Sequence, residues 1–174
     1  MRRLLIGGAL GVLVVSLGVL VVSLAARGGS SGSSATEQAL QRKADSWEIG
    51  QIEKNFHKAV SRKDIDLMMR FWAPHATFTY RLGETATGKK EIRKFWLEES
   101  KNFRRTWHMV SETLAYKTRI TVNGDRGTLY FECHYLDVKK KTLGPVTAAD
   151  VDVARIHGRW LVTNFVAASA TLST

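Results

Sequence analysis

His108 is the side chain in this sequence best suited to moving a proton near neutral pH. An imidazole, with an ordinary pKa of about 6.5, serves as acid or base with little tuning. Such a site also needs a group to orient the imidazole. Asp150 and Asp152 lie two residues apart, so on a strand they share one face and present paired carboxylates. Either one beside His108 would form a His–carboxylate pair suited to proton abstraction. A blander reading is open for each: a structural histidine bonded to a neighbouring strand, and acids that alternate toward solvent.

Glu132 and His134 form a second pair with period two, on the same strand face as Tyr130 and Leu136. The opposite face carries Leu129, Phe131, Cys133 and Tyr135 and is the more apolar. Glu132 and His134 therefore either face water or floor a polar pocket. Tyr80 ends a short strand, where its hydroxyl can reach a carbonyl ligand or cap the core. The chain has seven Phe, five Trp and four Tyr. Trp96 and Trp107 are the candidates among them for a pocket wall, the alternative being that the aromatics simply fill the core.

Other chemistry is poorly served. His57, His75, His108, His134 and His157 lack the spacings of zinc ligands, so no metal is expected. There is no Gly-rich phosphate loop, nucleophile elbow or GxGxxG pattern, and no cofactor is expected. Cys133 is the only cysteine, which excludes an intrachain disulfide. Within a strand pattern it reads as a small buried hydrophobe more readily than as a reactive thiol.

The elements that would position these residues fall into two halves. Ile49, Ile52, Phe56 and Ala59/Val60 recur at helical spacing. Asp64 suits the N-cap of a short helix with Ile65, Met68, Phe71 and Trp72, stopped by Pro74. Thr77 to Tyr80 alternates as a strand. Gly88, with Glu91 three residues on, opens a third helix bearing Ile92, Phe95, Trp96 and Phe103. Beyond Thr106 the period becomes two. Strands are expected over 107–122, 126–139, 146–157 and 159–168, with tight turns at Asn123-Gly124-Asp125 and His157-Gly158. Helices followed by an antiparallel sheet predict an α+β domain.

This order of pieces resembles the SnoaL-like proteins of the nuclear-transport-factor-2-like superfamily. Ile52 to Ala73 followed by Pro74-His75-Ala76-Thr77-Phe78 is similar to their helix-helix-strand opening. Gly88-Lys89-Lys90-Glu91-Ile92 resembles their third helix, and His108-Met109-Val110-Ser111 their first long strand. Asn123-Gly124-Asp125-Arg126 resembles their hairpin and His157-Gly158-Arg159-Trp160 their last turn. The resemblance covers roughly residues 45–170 and implies a cone: three N-terminal helices on a curved antiparallel sheet, around a pocket for a small, partly apolar molecule. It also implies an inward-facing His108 and isomerase, dehydratase or cyclase chemistry. Members with those activities tend to carry Asp or Tyr at the end of the first helix, whereas Ala59-Val60-Ser61-Arg62 here has no carboxylate. The alternative within the family is a non-catalytic dimerisation or assembly module of the cell envelope, with a homodimer through the sheet face.

The remaining chain sets the address. Leu4 to Ala26 is an uncharged run behind Arg2 and Arg3. As a helix it would span roughly 34 Å, enough for a bilayer core of about 30 Å. Residues 1–26 are therefore expected to be a transmembrane signal anchor, the alternative being a signal peptide cleaved near Ser23-Leu24-Ala25. Residues 27–35 read as a Gly/Ser linker and 36–174 as the domain. Arg2 and Arg3 favour a single pass with the domain on the extracytoplasmic side. Setting aside Arg2, Arg3 and Arg27 from 26 Lys+Arg leaves 23 against 16 Asp+Glu, a formal +7. On that side of a membrane the charge fits lipid headgroups or envelope polymers, and no nucleic-acid partner is expected.

Overall fold

A computed structural model of the chain describes residues 30–111, 115 and 117–169. The apolar run Leu4–Ala26 lies outside the described residues. Among the described residues, no helix is long and apolar enough to cross a membrane.

The first helix, α1, runs Ser30–Arg62 and so begins inside the Gly/Ser stretch expected to be a linker. Serine is only mildly unfavourable in a helix, and elongating a formed helix is far easier than nucleating one. Its apolar stripe is the one the sequence shows: Ile49, Ile52, Phe56, Ala59 and Val60 are all buried. Near the N-terminal part of the buried stretch, Asp45 ties α1 to the last hairpin. It accepts hydrogen bonds from Gln41 Nε2 at 2.9 Å and Trp160 Nε1 at 3.3 Å, and it pairs with Arg155.

A second helix, α2, spans Ile65–Met69, with Asp64 as its N-cap. Asp64 Oδ1 accepts from Leu67 N at 2.8 Å, a cap of a kind that contributes about 1 kcal/mol. The helix was expected to reach Trp72, but it stops at Met69 and strand β1, Trp72–Thr79, takes over. Pro74 does not end the element; it sits inside β1 at an exposed position. The register with the neighbouring strand shifts between Trp72 and Thr77, as a residue without an N–H requires. Strand β2 (Thr85–Thr87) leads into α3 (Gly88–Lys94). The N-cap is Thr87 rather than Gly88, and Glu91 Oε2 accepts from Thr87 N at 2.8 Å. A wide π-type turn, Phe95–Glu99, and a 3₁₀ turn, Lys101–Phe103, continue the helix direction.

The second half forms β3 (Met109–Val110), β4 (Lys117–Asn123), β5 (Arg126–Asp137), β6 (Thr142–Ile156) and β7 (Arg159–Ser169). The strand expected over 107–122 is thus two strands, both paired with the same edge of β5. The sheet order is β2-β1-β7-β6-β5-β3, with β4 beside β5. It is not wholly antiparallel, because β1 and β7 run parallel. The two hairpin turns match their residues. His157 and Gly158 both have positive φ, 49° and 76°, as a type I′ turn requires. Gly124 alone does so in the other, at 58°.

Irregularities in register at Tyr135 in β5 and between Asp152 and Val153 in β6 bend the sheet. The helices close over its concave face. Leu129, Phe131, Val151, Val153, Val162 and Phe165 of the sheet pack there against α1 and against Trp72, Phe78 and Trp96. The result is an α+β cone with its core on the inside of the curve.

Candidate functional site

The inner end of the cone is not filled. A cavity of about 410 Å³ lies between α1, the β1–β2 loop, residues 96–107 and the inner face of β5, β6 and β7. Its wall is aromatic: Phe56, Phe78, Trp96, Phe131 and Phe165. Successive ring pairs lie 5.2–6.1 Å apart, as in Phe56–Phe165, Phe78–Trp96 and Phe131–Phe165. These contacts explain why the rings line the space without collapsing into it. Around the mouth stand Arg81, Leu82, Glu84, Glu99, Lys101 and Pro145.

Polar groups among the apolar ones give the cavity direction. Trp96 and Trp107 both line it, and each has a buried indole N–H with no acceptor among the described residues. Both N–H groups are shielded from the cavity itself, so these residues present ring surface to it rather than a donor. Tyr135 also lines the space. Burial, with the nearby Cys133 and Tyr80, pushes its phenol above the ordinary value, so it stays a donor at neutral pH. Strand alternation puts it on the inner face with Phe131, and the register shift opposite it falls at Gly144-Pro145 of β6. At the mouth, the Tyr80 hydroxyl accepts from Arg81 at 3.2 Å, and the Arg81 guanidinium lies 5.3 Å from the Tyr80 ring centroid. Ser100 is buried, and its Oγ accepts from Asn102 N at 3.2 Å, fixing the turn below Trp107.

Of the eight residues selected from the sequence, three meet here: Tyr80, Trp96 and Trp107. The other five do not line the cavity. His108 is exposed; it stands just before β3, at the sheet edge farthest from β1. The carboxylate near it is Asp137, held below the usual range chiefly by the Lys140 backbone N–H, with a smaller contribution from His108. Asp150 and Asp152 are exposed on the outer face of β6, where Asp152 Oδ2 accepts from Asn164 Nδ2 at 3.1 Å. The expected meeting of His108 with either acid therefore does not occur, because strand alternation turns both acids outward while the cavity is inside. The resemblance implied an inward His108, which is also corrected.

Glu132 and His134 resolve the same way. Their face is the outer one, opposite Phe131, Cys133 and Tyr135. Glu132 is buried there beneath Lys117, whose Nζ is 2.8 Å away, and it accepts from Tyr130 at 2.5 Å. Arg119 covers the Tyr130 ring at 4.5 Å, and the Thr121 and Thr128 hydroxyls meet at 2.6 Å. The outer sheet is thus a polar, laterally bonded surface among the described residues.

Sequence reasoning missed a polar pair on the buried stripe of α1. Glu53 and His57, one turn apart, are 4% and 2% exposed, with Nδ1 lying 2.7 Å from Glu53 Oε1. The approach is close, although the ring N–H is not well aligned with it. Glu53 Oε1 also accepts from Ala115 N at 3.2 Å. Cys133, also on the buried side, has its Sγ 3.2 Å from Thr147 Oγ1. The signal was available: Glu53 and His57 follow Ile52 and Phe56 on the apolar face, where a charged residue needs a reason.

A long helix and two short ones closing a bent sheet over an aromatic cavity define a domain of the nuclear-transport-factor-2-like class. Solved structures bear this out. A nuclear-transport-factor-2-like protein with a cystatin-like fold from Novosphingobium aromaticivorans superposes with a TM-score of 0.66 at 16% identity, over 84% of this chain and 93% of that one. One of unknown function from Pseudomonas putida KT2440 gives 0.63 at 19%, over 74% and 88%. A candidate dehydratase of that family from Streptomyces avermitilis gives 0.60 at 15%, over 76% and 99%. At such identities the likeness concerns the fold. The SnoaL-like domain model matches residues 54–162, and the chain belongs to that family. No curated protein matches it.

Proposed function

We propose that this SnoaL-like domain binds a small, largely apolar molecule in the cone cavity. The carrying observation is the cavity of about 410 Å³ walled by Phe56, Phe78, Trp96, Phe131 and Phe165, with Tyr80 and Arg81 at its mouth. The volume falls within the roughly 300–1,000 Å³ common for small-molecule sites. A small-molecule substrate is also what the dehydratase assignment suggested for the Streptomyces avermitilis neighbour would require. Proton transfer by His108 with Asp150 or Asp152 forms no part of this reading, since all three are exposed outside the cavity.

The test is a titration of the ¹⁵N-labelled chain with aromatic and alicyclic ketones, following the five indole N–H resonances, assigned by Trp→Phe variants. Those of Trp96 and Trp107 are expected to shift. Trp72 is the internal control: its N–H is also buried without an acceptor, but the residue does not line the cavity, and its ring meets Phe78 at 86°. Shifts confined to the exposed Trp47, or none at all, would refute the proposal.

We further propose that Leu4–Ala26 anchors the domain in a membrane as a single pass, with Arg2 and Arg3 retained in the cytoplasm. The chain should then stay in the membrane fraction after washing with alkaline carbonate. Release into the supernatant at its full mass would contradict an anchor. Release at the mass expected for cleavage near Ala25 would instead establish secretion.

A further inference from the structure

Four hydroxyl-bearing side chains line the cavity, Tyr80, Ser100, Tyr135 and Thr147, and three of them are already engaged. The Tyr80 hydroxyl accepts from Arg81 Nη2 at 3.2 Å, and Ser100 Oγ accepts from Asn102 N at 3.2 Å. Thr147 Oγ1 lies 3.2 Å from Cys133 Sγ. Tyr135 is the exception. The residue is only 6% exposed, yet its hydroxyl has no hydrogen-bond partner among the described residues. Unlike the indole N–H groups of Trp96 and Trp107, that hydroxyl is not sealed off from the surrounding space. A buried phenol usually finds a partner, because an unpaired one forfeits the hydrogen bonds that water gave it in the unfolded chain.

The surroundings of Tyr135 restrict what that partner can be. On β5 the residue stands opposite Gly144-Pro145 of β6, and Pro145 belongs to the mouth. The same face of β5 carries Phe131, whose ring lies 6.0 Å from Phe56 and 6.1 Å from Phe165. One end of the space is therefore apolar, and Tyr135 offers a single polar group near the other. The charged lining residues are Arg81, Glu84, Glu99 and Lys101; all four are exposed, and the two signs balance. The lining thus provides no buried cation. A carboxylate carried down to Tyr135 would lose its water without gaining a counter-charge, whereas a neutral oxygen needs only one donor.

We propose that Tyr135 is the polar anchor of the cavity, donating a hydrogen bond to the carbonyl oxygen of a neutral ketone whose apolar body rests on Phe56, Phe131 and Phe165. The inference rests on the cavity being a ligand site and adds to it the chemical class of the ligand. Burial, with Cys133 and Tyr80 nearby, holds the phenol above its ordinary value, so it keeps the proton it must donate. Selectivity follows from the same arrangement. A hydrocarbon of equal shape leaves the hydroxyl unpaired, and an anion enters without compensation.

The test compares 2-tetralone, tetralin and tetralin-2-carboxylate, which share one ring skeleton and differ in the polar group. Each is titrated into the full chain in detergent micelles at pH 7, as wild type and as Tyr135→Phe, following the indole N–H resonances. Both variants meet the same micelles, so partition of the ligand cancels in their ratio. Tyr135→Phe should weaken 2-tetralone by roughly 3–10-fold, the scale of one neutral hydrogen bond, and leave tetralin within about twofold. The carboxylate should bind wild type most weakly of the three. An equal change for ketone and hydrocarbon, or none for the ketone, would overturn the anchor. Tighter binding of the carboxylate than of the ketone would overturn the neutral class. If Tyr135→Phe does not fold, the ¹³Cζ resonance of Tyr135 in wild type decides. A larger shift with 2-tetralone than with tetralin supports the hydrogen bond, and equal shifts remove it. Tetralin that binds while Tyr135 stays indifferent to the ketone leaves the cavity reading intact; failure of all three ligands to bind wild type removes both.

Discussion

Replacing Phe165 with alanine is expected to lower the stability of this domain by about 3–5 kcal/mol, the range for deleting a buried ring. Phe165 is 2% exposed, on β7 between β1 and β6. Its ring stacks on Phe56 at 5.2 Å and 27°, and it meets Trp72, Phe78 and Phe131 at 5.7, 5.6 and 6.1 Å. One substitution therefore removes contacts to the long helix and to two other strands. Against a total stability of about 5–15 kcal/mol, that loss brings the domain close to unfolding. The neighbouring Val166, 37% exposed on the outer face, should change by less than about 1 kcal/mol on replacement by alanine. Urea unfolding followed by circular dichroism checks both. The midpoint should fall steeply for Phe165→Ala with an unchanged slope, and nearly equal midpoints for the two variants would contradict the packing described. Because Phe165 also lines the cavity, a ligand that fills the new space should restore part of the loss in proportion to the logarithm of its concentration.

Phe165 also marks what the sequence can and cannot reveal. That the face of β5 carrying Phe131, Cys133 and Tyr135 points inward follows from period two, and so does the run of α1 residues that meets it. Local turn chemistry was equally readable, since His157-Gly158 needs positive φ at both residues. The sheet's curvature was not readable, because it comes from bulges such as that at Tyr135, which leave no mark on hydrophobic periodicity. Curvature is what brings Tyr80, Trp107 and Thr147 to one cavity, whereas simple alternation along β6 leaves Asp150 and Asp152 outside it. His108 was misplaced for a related reason. A single strand over 107–122 would have carried it into the sheet, whereas the chain makes two short strands along one edge of β5, and His108 precedes the first in solvent. Glu53 and His57 were legible as polar residues on an apolar stripe, but the backbone N–H that Glu53 accepts from lies some sixty residues further on, at Ala115. Helical spacing can flag such a pair, yet only the packing of α1 on β5, where the His57 ring meets Phe131, shows what surrounds it.

That buried pair should make stability fall as the solution becomes alkaline. Burial by itself would depress the His57 pKa, but the neighbouring Cys133 and Glu53 outweigh it and raise the value from about 6.5 to about 9. The folded state therefore binds this proton more tightly than the unfolded chain. A raised pKa contributes stability that is fully present below about pH 6.5 and is lost as pH climbs through about 9. At about 1.4 kcal/mol per tenfold difference in proton affinity, the contribution is on the order of 3 kcal/mol. Lys63, whose pKa burial lowers, works in the opposite sense at higher pH, so the wild-type slope alone is not decisive. The informative quantity is the difference between wild type and His57→Gln, measured by urea unfolding at pH 6, 7.5 and 9. The variant should be less stable throughout, because Glu53 is left buried without its partner. The gap should be widest at pH 6 and should narrow toward pH 9. Parallel curves across that range would mean that His57 carries no linked proton, and the Glu53–His57 pair would then be packing without charge.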